Sequence, residues 1–227
     1  MEVISKIYKN KKVLITGHTG FKGSWLSFWL SQTGAKIYGI SNNVPTNPSL
    51  FKILDIRNIL KKDYRIDIEN YIKTRKIIKQ INPDIIFHLA GQSLVARSYK
   101  QPLKTFLTNT VGTLNILNIV TLQKKKTSLV IITSDKVYKN REIKKKYKED
   151  DKIGGDDPYS SSKGAADIIA NSYKHILQKK GHKIIIARAG NVIGGGDWAE
   201  DRIIADCFKS WISKKAVKIR SPNSTRP

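Results

Sequence analysis

The sequence predicts an α/β fold of the Rossmann-like type, a doubly wound parallel sheet. Apolar, β-branched runs alternate along the chain with segments of helical character, which is the order of elements in βαβ units. The runs are apolar throughout and do not alternate with polar residues, as expected of parallel strands that are covered on both faces. Ligands of such sheets bind at the carboxyl ends of the strands, so the turns after the strands are the expected place for a functional site.

Six strands and four long helices are expected from these runs. The strands are predicted over Lys12–Thr16, Lys36–Ile40, Arg65–Asp67, Ile85–Leu89, Leu129–Thr133 and Lys183–Arg188. The helices are predicted over Gly23–Thr33, Glu69–Gln80, Pro102–Gln123 and Tyr159–Lys180. The first helix should end near Gly34, because glycine is favoured just past a helix C-terminus. Its two tryptophans, Trp25 and Trp29, are expected in the core.

Three glycines follow the first predicted strand at intervals of three residues, at Gly17, Gly20 and Gly23. Glycine at a strand-to-helix turn permits a tight turn, close approach of a ligand to the backbone and close packing of helix on strand. The N–H groups at the helix start then favour an anion such as a pyrophosphate. The motif alone also fits an ordinary tight turn, but its place at the first such turn favours a dinucleotide site.

The end of the second predicted strand reads YGISNNVP, with no acidic residue for the adenosine ribose and no arginine for a 2′-phosphate. Ser41, Asn42 or Asn43 can hydrogen-bond the ribose hydroxyls, so the sequence favours NAD over NADP modestly. Asp67, at the end of the third strand, either meets the adenine amino group or caps the strand. His88 is interpreted as a half-buried structural histidine with satisfied hydrogen bonds.

Charge and composition narrow the class of protein. The net charge is +24, but the lysines are spread over small clusters at predicted loops and helix ends, namely Lys61–Lys62, Lys124–Lys126, Lys144–Lys148 and Lys214–Lys215. This distribution favours a solvated surface over nucleic-acid binding. The single cysteine, Cys207, excludes an internal disulfide and suits a reducing cytoplasm. With no stretch of roughly 20 apolar residues and no signal-peptide pattern, a cytoplasmic protein that binds neither nucleic acid nor membrane is expected.

The strongest chemical pattern comes from TSDK at 133–136 and YSSSK at 159–163. On a helix, Tyr159 and Lys163 are four residues apart and share one face. A lysine ammonium beside a phenol stabilises the phenolate, which makes the phenol a usable general base for an alcohol proton. Ser134, at the end of the fifth strand, can donate to the same substrate oxygen. Two ordinary surface residues would give the same spacing, an alternative that the glycine motif disfavours.

Together these motifs resemble the extended short-chain dehydrogenase/reductase family, the NAD-dependent epimerases and dehydratases. The stretches GHTGFKGSWL (17–26), TSDKVY (133–138), DPYSSSKG (157–164) and RAGNVIGGGDWAEDR (188–202) narrow the resemblance to its CDP-glucose 4,6-dehydratase branch. The resemblance runs over residues 11–227. SPNSTRP at 221–227 resembles a point where family members continue, which implies a C-terminally truncated chain that lacks the final sheet strand and part of the substrate lobe.

The resemblance implies NAD as cofactor, a nucleotide sugar as substrate, and dehydration of CDP-glucose to CDP-4-keto-6-deoxyglucose for deoxysugar supply, such as that of O-antigen lipopolysaccharide. Tyr159 takes the proton of the 4-hydroxyl as the hydride leaves C4, and the hydride later returns to C6. Water is lost across C5 and C6, with Asp135 as the acid for the 6-hydroxyl and Lys136 as the base at C5. Asn191 and Arg202 are placed on the diphosphate or the sugar.

The predicted site residues form three groups, with no metal ligands among them. The catalytic group is Ser134, Asp135, Lys136, Tyr159 and Lys163. The cofactor group is Gly17, Thr19, Gly20, Phe21, Lys22, Gly23, Asp67, Ile68, Leu89, Ala90, Gln92, Tyr159 and Lys163, and the substrate group is Asn191 and Arg202.

Residues 1–190 are predicted to be the NAD-binding domain. Residues 191–227 are expected to begin an incomplete substrate-binding lobe with one helix and a short strand. Family likeness implies a homodimer or a higher homo-oligomer through the helices over 102–123 and 159–180.

Other classes of function stay open. Another epimerase or dehydratase of the family would share most motifs, although an epimerase needs no acid–base pair such as Asp135 and Lys136 for eliminating water. A truncated dinucleotide-binding protein without turnover would keep the fold, but the retention of Tyr159 and Lys163 argues against lost chemistry. A nucleic-acid binder would show steeply salt-dependent DNA affinity. The cytosine base rests on the resemblance alone.

Overall fold

The architecture is known from a computed structural model that describes residues 2–141, 146–219 and 222–223. Part of the Lys144–Lys148 cluster and most of SPNSTRP therefore lie outside the described residues. The sheet consists of β1 (Lys12–Thr16), β2 (Lys36–Ser41), β3 (Lys62–Arg65), β4 (Ile85–His88), β5 (Ser128–Ile132) and β6 (Lys183–Ala187). The strand order is β3-β2-β1-β4-β5-β6 and every pairing is parallel. The predicted doubly wound fold is confirmed.

Helices cover both faces of this sheet. They are α1 (Glu2–Tyr8), α2 (Phe21–Ser31), α3 (Leu50–Ile53), α4 (Ile56–Ile59), α5 (Tyr71–Ile81), α6 (Val95–Lys100), α7 (Pro102–Phe106), α8 (Gly112–Thr121), α9 (Pro158–Lys179) and α10 (Ile203–Ile212). One apolar core joins β1 and β2 to α2, α3 and α4. The other joins the sheet to α5, α8 and α9. None of the helices in the described part of the chain is long and apolar enough to cross a bilayer.

Burial on both faces explains why the strands read as apolar runs. Val13, Leu14 and Ile15 of β1 are fully buried, and they alternate between the two cores. Because β1 lies between β2 and β4, both of its edges are also paired. The turn after β1 is thereby fixed at the centre of the carboxyl edge, next to the point where the chain reverses direction across the sheet.

Three sequence-based expectations about elements are wrong. The third strand is Lys62–Arg65 rather than Arg65–Asp67, because this edge strand pairs only with β2 and lacks an apolar run. The helix predicted over 102–123 is interrupted by a π-helical turn at Leu107–Val111. The short strand expected within 191–227 is not present in its described part, where α10 is the regular element.

The two tryptophans of α2 also lie outside the core. The helix turns its small side chains toward the sheet, and Gly23, Ser24 and Ser27 are buried there. Trp25 and Trp29 are 41% and 38% exposed. Trp25 instead donates from Nε1 to the Gly195 carbonyl at 3.0 Å and so contacts the loop after β6.

Candidate active site

A cleft of about 630 Å³ lies at the carboxyl edge of the sheet, and residues that follow all six strands line it. Sixteen of the predicted site residues line this cleft: Gly17, Thr19, Gly20, Phe21, Lys22, Gly23, Asp67, Ile68, Leu89, Ala90, Gln92, Ser134, Lys136, Tyr159, Asn191 and Arg202. Asp135 and Lys163 are not in the lining and lie directly behind it. The fold thus brings together residues from distant parts of the chain.

The glycine turn forms a close junction between β1, α2 and β4. Gly17 has φ +74°, and a Cβ atom there would lie 2.7 Å from the Ala90 nitrogen. A Cβ atom at Gly23 would lie 2.2 Å from the Gly17 carbonyl oxygen. Gly20 precedes α2 and provides no side-chain cap, so the first N–H groups of this eleven-residue helix have no side-chain partner from the N-cap residue. An anion is favoured at such a helix start.

The opposite end of the cleft has a polar wall at the ends of β2 and β3. The Ser41 and Thr19 hydroxyls lie 2.7 Å apart, and Thr19 donates to the Asn43 carbonyl at 2.6 Å. The Asp67 carboxylate is paired with Lys104 of α7 at 2.7 Å, and Glu69 holds the same ammonium at 2.7 Å. These contacts hold the turn after β2 against Thr19 and the turn after β3 against Lys104.

Ser134 and Asp135 are held at the end of β5 by a short 3₁₀ turn, Asp135–Val137. Ser134 caps this turn, because its Oγ accepts from the Lys136 N–H at 3.2 Å. The same hydroxyl donates to Asp135 Oδ1 at 3.0 Å. Asp135 is therefore hydrogen-bonded to a residue that lines the cleft, whereas Lys136 lines the cleft itself.

Tyr159 and Lys163 are presented by the first turns of α9. This helix begins firmly, since Asp157 accepts from the Ser160 N–H at 3.0 Å and Pro158 occupies the first helical position. Both Tyr159 and Lys163 are only 8% exposed. The Lys163 ammonium donates to the Ile132 carbonyl at 3.2 Å and lies behind Gly91, where an added Cβ atom would be 3.1 Å from Nζ.

The cleft carries an excess of positive charge. Burial, assisted by the charge of Lys22, lowers the pKa of Lys163 to about 8. Burial and the charge of Arg202 also lower the pKa of Lys22, against the opposing effect of Asp135. Within the described chain, Arg202 Nε and Trp198 Nε1 are buried nitrogens without a hydrogen-bond partner. An anionic ligand would offset this charge and accept from these donors.

Asn109 is a buried polar residue of the site that sequence reasoning missed. Its Oδ1 accepts from the Gln92 N–H at 2.8 Å, and its Nδ2 donates to the Gln92 carbonyl at 3.0 Å and to the Ser162 hydroxyl at 2.9 Å. It lies in the π-helical turn that interrupts the long helix, a feature often found at functional sites. The polar run TNT at 108–110, three consecutive polar residues within the predicted helix, is the available signal.

His88 is a structural residue, as interpreted from the sequence, but it is fully buried rather than half-buried. Its Nδ1 lies 2.7 Å from the Thr16 hydroxyl and its Nε2 3.0 Å from the Thr113 hydroxyl. Burial, and secondly the charge of Lys163, lowers the pKa of His88 to about 3. The ring is neutral at physiological pH and both nitrogens are engaged.

The model of one protein family, described as GDP-mannose 4,6 dehydratase, matches residues 14–196. The match includes the glycine turn, the TSDK and YSSSK stretches and the start of the loop after β6. The chain belongs to this family. It is 43% identical to CDP-glucose 4,6-dehydratase of Salmonella typhimurium over 97% of its own length and 63% of that protein. It is 31% identical to CDP-paratose 2-epimerase of Salmonella typhi over 92% of its own length and 65% of that protein.

A solved structure shares the fold. The chain is similar to dTDP-glucose 4,6-dehydratase from Bacillus anthracis in complex with NAD, with a TM-score of 0.75 and 22% identity over 91% of this chain and 63% of that one. The chain thus spans less than two thirds of the length of the family members that it matches here.

Proposed function

We propose that this member of the family is an NAD-dependent lyase that dehydrates CDP-glucose to CDP-4-keto-6-deoxyglucose. The observation that carries the proposal is that Tyr159, Ser134 and Lys136 line the same cleft as the glycine turn. A CDP sugar is favoured because both of the Salmonella relatives are named for a CDP sugar. Dehydration is favoured over epimerisation because the identity to the CDP-glucose enzyme, 43%, exceeds the 31% to the CDP-paratose epimerase. An epimerase also has no use for an acid–base pair at 135 and 136.

The glycine turn fits a dinucleotide. Side chains are absent where the backbone of β1, α2 and β4 meets, and Cβ atoms at Gly17 or Gly23 would collide with that backbone. The start of α2 would then hold the pyrophosphate, Ser41 and Asn42 would hold the adenosine ribose, and Asp67 with Ile68 would hold the adenine. Leu89, Ala90 and Gln92 would hold the nicotinamide half. When bound, NAD accepts the hydride from C4 of the sugar and gives it back to C6.

The chain's own residues move the protons. Tyr159 takes the proton of the 4-hydroxyl, and the buried ammonium of Lys163 stabilises the resulting phenolate. Ser134 turns its hydroxyl from Asp135 to the oxygen at C4. The Asp135 carboxyl group then gives a proton to the departing 6-hydroxyl, which leaves as water. The ketone at C4 acidifies the C5 hydrogen, which the Lys136 amine removes as a proton and gives back to C5 when the hydride reaches C6. Asn191 and Arg202, with Lys22 nearby, bind the diphosphate.

Domain arrangement, assembly and location belong to the same proposal. Residues 1–190 form the NAD-binding domain and residues 191–227 begin the substrate lobe, since residues 189–202 supply one wall of the cleft. The exposed apolar side chains of Leu103, Val111 and Ile168 on the long helices support a homodimer, which sedimentation would detect as twice the chain mass. A cytoplasmic location suits the single cysteine.

Substrate identity is tested by incubating the chain and NAD with CDP-glucose and dTDP-glucose in parallel. We expect the alkali-induced absorbance of a 4-keto sugar with CDP-glucose and little with dTDP-glucose. Equal signals would contradict the choice of cytosine. NAD binding with no product from either sugar would instead support the alternative of a dinucleotide-binding chain without turnover, and salt-sensitive DNA binding near physiological ionic strength would support a nucleic-acid function.

Lys136→Ala is expected to separate the two halves of the reaction. Without the base at C5, elimination should fall by about 100-fold or more, while oxidation at C4 continues and reduced cofactor accumulates. The measurement is the absorbance of reduced nicotinamide after mixing with CDP-glucose, followed by product analysis. Lys146→Ala, at an exposed lysine, is the matched control. Complete dehydration by the Lys136 variant would remove this residue from the role.

A further inference from the structure

A buried ion pair joins α9 to the end of the sheet behind the cleft. Asp167 is fully buried on α9, and Arg188 is the residue directly after β6. The guanidinium donates from Nη2 to Asp167 Oδ1 at 2.8 Å and from Nε to Oδ2 at 3.0 Å. Two parallel bonds between a guanidinium and a carboxylate fix the plane as well as the distance of the groups.

The Asp167 carboxylate accepts two further hydrogen bonds. Thr133, the residue after β5, donates from Oγ1 to Oδ2 at 3.0 Å. Asn171 of α9 donates from Nδ2 to Oδ1 at 2.9 Å. The buried charge is therefore fully solvated by protein donors, and the helix is bonded to the ends of both β5 and β6.

Arg188 extends the network to the segment that follows the TSDK stretch. Its Nη1 donates to the Tyr138 hydroxyl at 2.9 Å and to the Glu149 carbonyl at 2.8 Å. The guanidinium carbon also lies 4.8 Å from the centroid of the Tyr138 ring. Five side chains, those of Thr133, Tyr138, Asp167, Asn171 and Arg188, form what we call the Asp167 network.

The network lies between the two groups of proposed catalytic residues. Tyr159, Lys163 and Asp167 follow one another at intervals of four residues on α9 and so share one face. Thr133 immediately precedes Ser134, and Tyr138 is two residues beyond Lys136. One side of the network thus holds the helix that carries Tyr159, and the other side holds the stretch that carries Ser134, Asp135 and Lys136.

Stability alone does not account for such an arrangement. The attraction within a buried ion pair offsets little more than the free energy lost when the two charges leave water. Apolar side chains of similar volume are often as stabilising in its place. The charges add directional contacts that allow only one relative position of helix and sheet. Misplacement of catalytic groups by about 1 Å can cost about 100-fold in rate.

We propose that Arg188 and Asp167 are positioning residues, which hold the α9 face with Tyr159 and Lys163 in register with residues 134–136. The turnover arm of the test rests on the proposed dehydratase function, whereas its titration arm does not.

The test compares Arg188→Lys and Asp167→Asn with the unaltered chain. Arg188→Lys keeps the charge but loses the bidentate geometry, and Asp167→Asn keeps the shape. Asp84→Asn is the matched control. Asp84 pairs with Lys125 at 2.8 Å and lies just before β4, at the amino-terminal end of the strands and away from the cleft. Each protein is measured for melting temperature, NAD dissociation constant and steady-state turnover of CDP-glucose. The titration of Lys163 is followed by NMR of ¹³C-labelled lysine, with the signal assigned by Lys163→Met.

We expect Arg188→Lys to lower kcat by about 100-fold while KM and the NAD dissociation constant change less than about twofold. The pKa of Lys163, about 8 in the unaltered chain, should rise by about one unit as the loosened face admits water. The charged and titratable groups near it, Lys22, His88 and Tyr159, are present in every variant. Asp84→Asn should leave kcat and the Lys163 titration unchanged.

Unchanged kcat and unchanged Lys163 titration in a folded Arg188→Lys variant would overturn the proposal. So would losses of melting temperature and NAD affinity that parallel the loss of rate, or a failure of Arg188→Lys to fold, since each marks a merely structural pair. If the unaltered chain turns over no sugar, the proposed function fails. The Lys163 titration then decides the positioning role by itself.

Discussion

Gly23→Ala should unfold the glycine turn and abolish dinucleotide binding. The new methyl group would lie 2.2 Å from the Gly17 carbonyl oxygen and 2.7 Å from the His18 Cα. Both are backbone atoms, so α2 must move away from β1 to accept it. Overpacking of this kind costs about 2 to 4 kcal/mol of unfolding free energy. For a chain of this size that lowers the melting temperature by roughly 4 to 16 °C, which calorimetry measures alongside the NAD dissociation constant.

Gly195→Ala provides the matched control for this prediction. A Cβ atom at Gly195 would meet nothing within 4 Å, so the free energy of unfolding should change by less than about 0.5 kcal/mol. A Gly23→Ala protein that has the melting temperature of the unaltered chain and still binds NAD would contradict the assignment of this turn. It would show that close packing of α2 on β1 is not required.

Tyr159→Phe should abolish turnover while the fold is kept. The substitution removes one hydroxyl from a ring that is 8% exposed and leaves its packing in place. Loss of a general base costs about 100-fold to 10,000-fold, and this base acts in the first step. Neither reduced nicotinamide nor 4-keto sugar should therefore appear when the variant is mixed with NAD and CDP-glucose.

The control for Tyr159→Phe is Tyr71→Phe, on α5. Its hydroxyl accepts from Asn118 Nδ2 at 3.2 Å, and Tyr71 is not among the residues that line the cleft. This variant should turn over normally. Normal turnover by Tyr159→Phe, with normal NAD affinity, would exclude Tyr159 as the base.

The sequence was sufficient to locate the inner strands of the sheet. β1 and β4 lie inside the sheet, and their apolar runs place them within a residue of the structure. The edge strand Lys62–Arg65 carries no such run, and its position follows from pairing with β2. The helices Leu50–Ile53 and Ile56–Ile59 are a single turn each, too short to show a helical period.

Site residues could be predicted where chemistry is tied to spacing along the chain. The glycine turn and the pair at 159 and 163 are local patterns, so the cleft contains them as expected. Asn109 and Trp198 are different, because their place at the site depends on packing between distant segments. Asn109 meets Gln92 across 17 residues and Ser162 across 53. The polar run TNT marks the position of Asn109, but no local pattern encodes its contacts with Gln92 and Ser162.

The most direct test of the account is a crystal structure of the chain with NAD and CDP-glucose bound. We expect the pyrophosphate of NAD over the start of α2 and the nicotinamide ring beside Tyr159. The Tyr159 oxygen should lie within hydrogen-bond distance of the sugar 4-hydroxyl, with Ser134 on the same oxygen. A dinucleotide bound away from the glycine turn, or a sugar whose 4-hydroxyl is out of reach of Tyr159, would contradict the proposed chemistry.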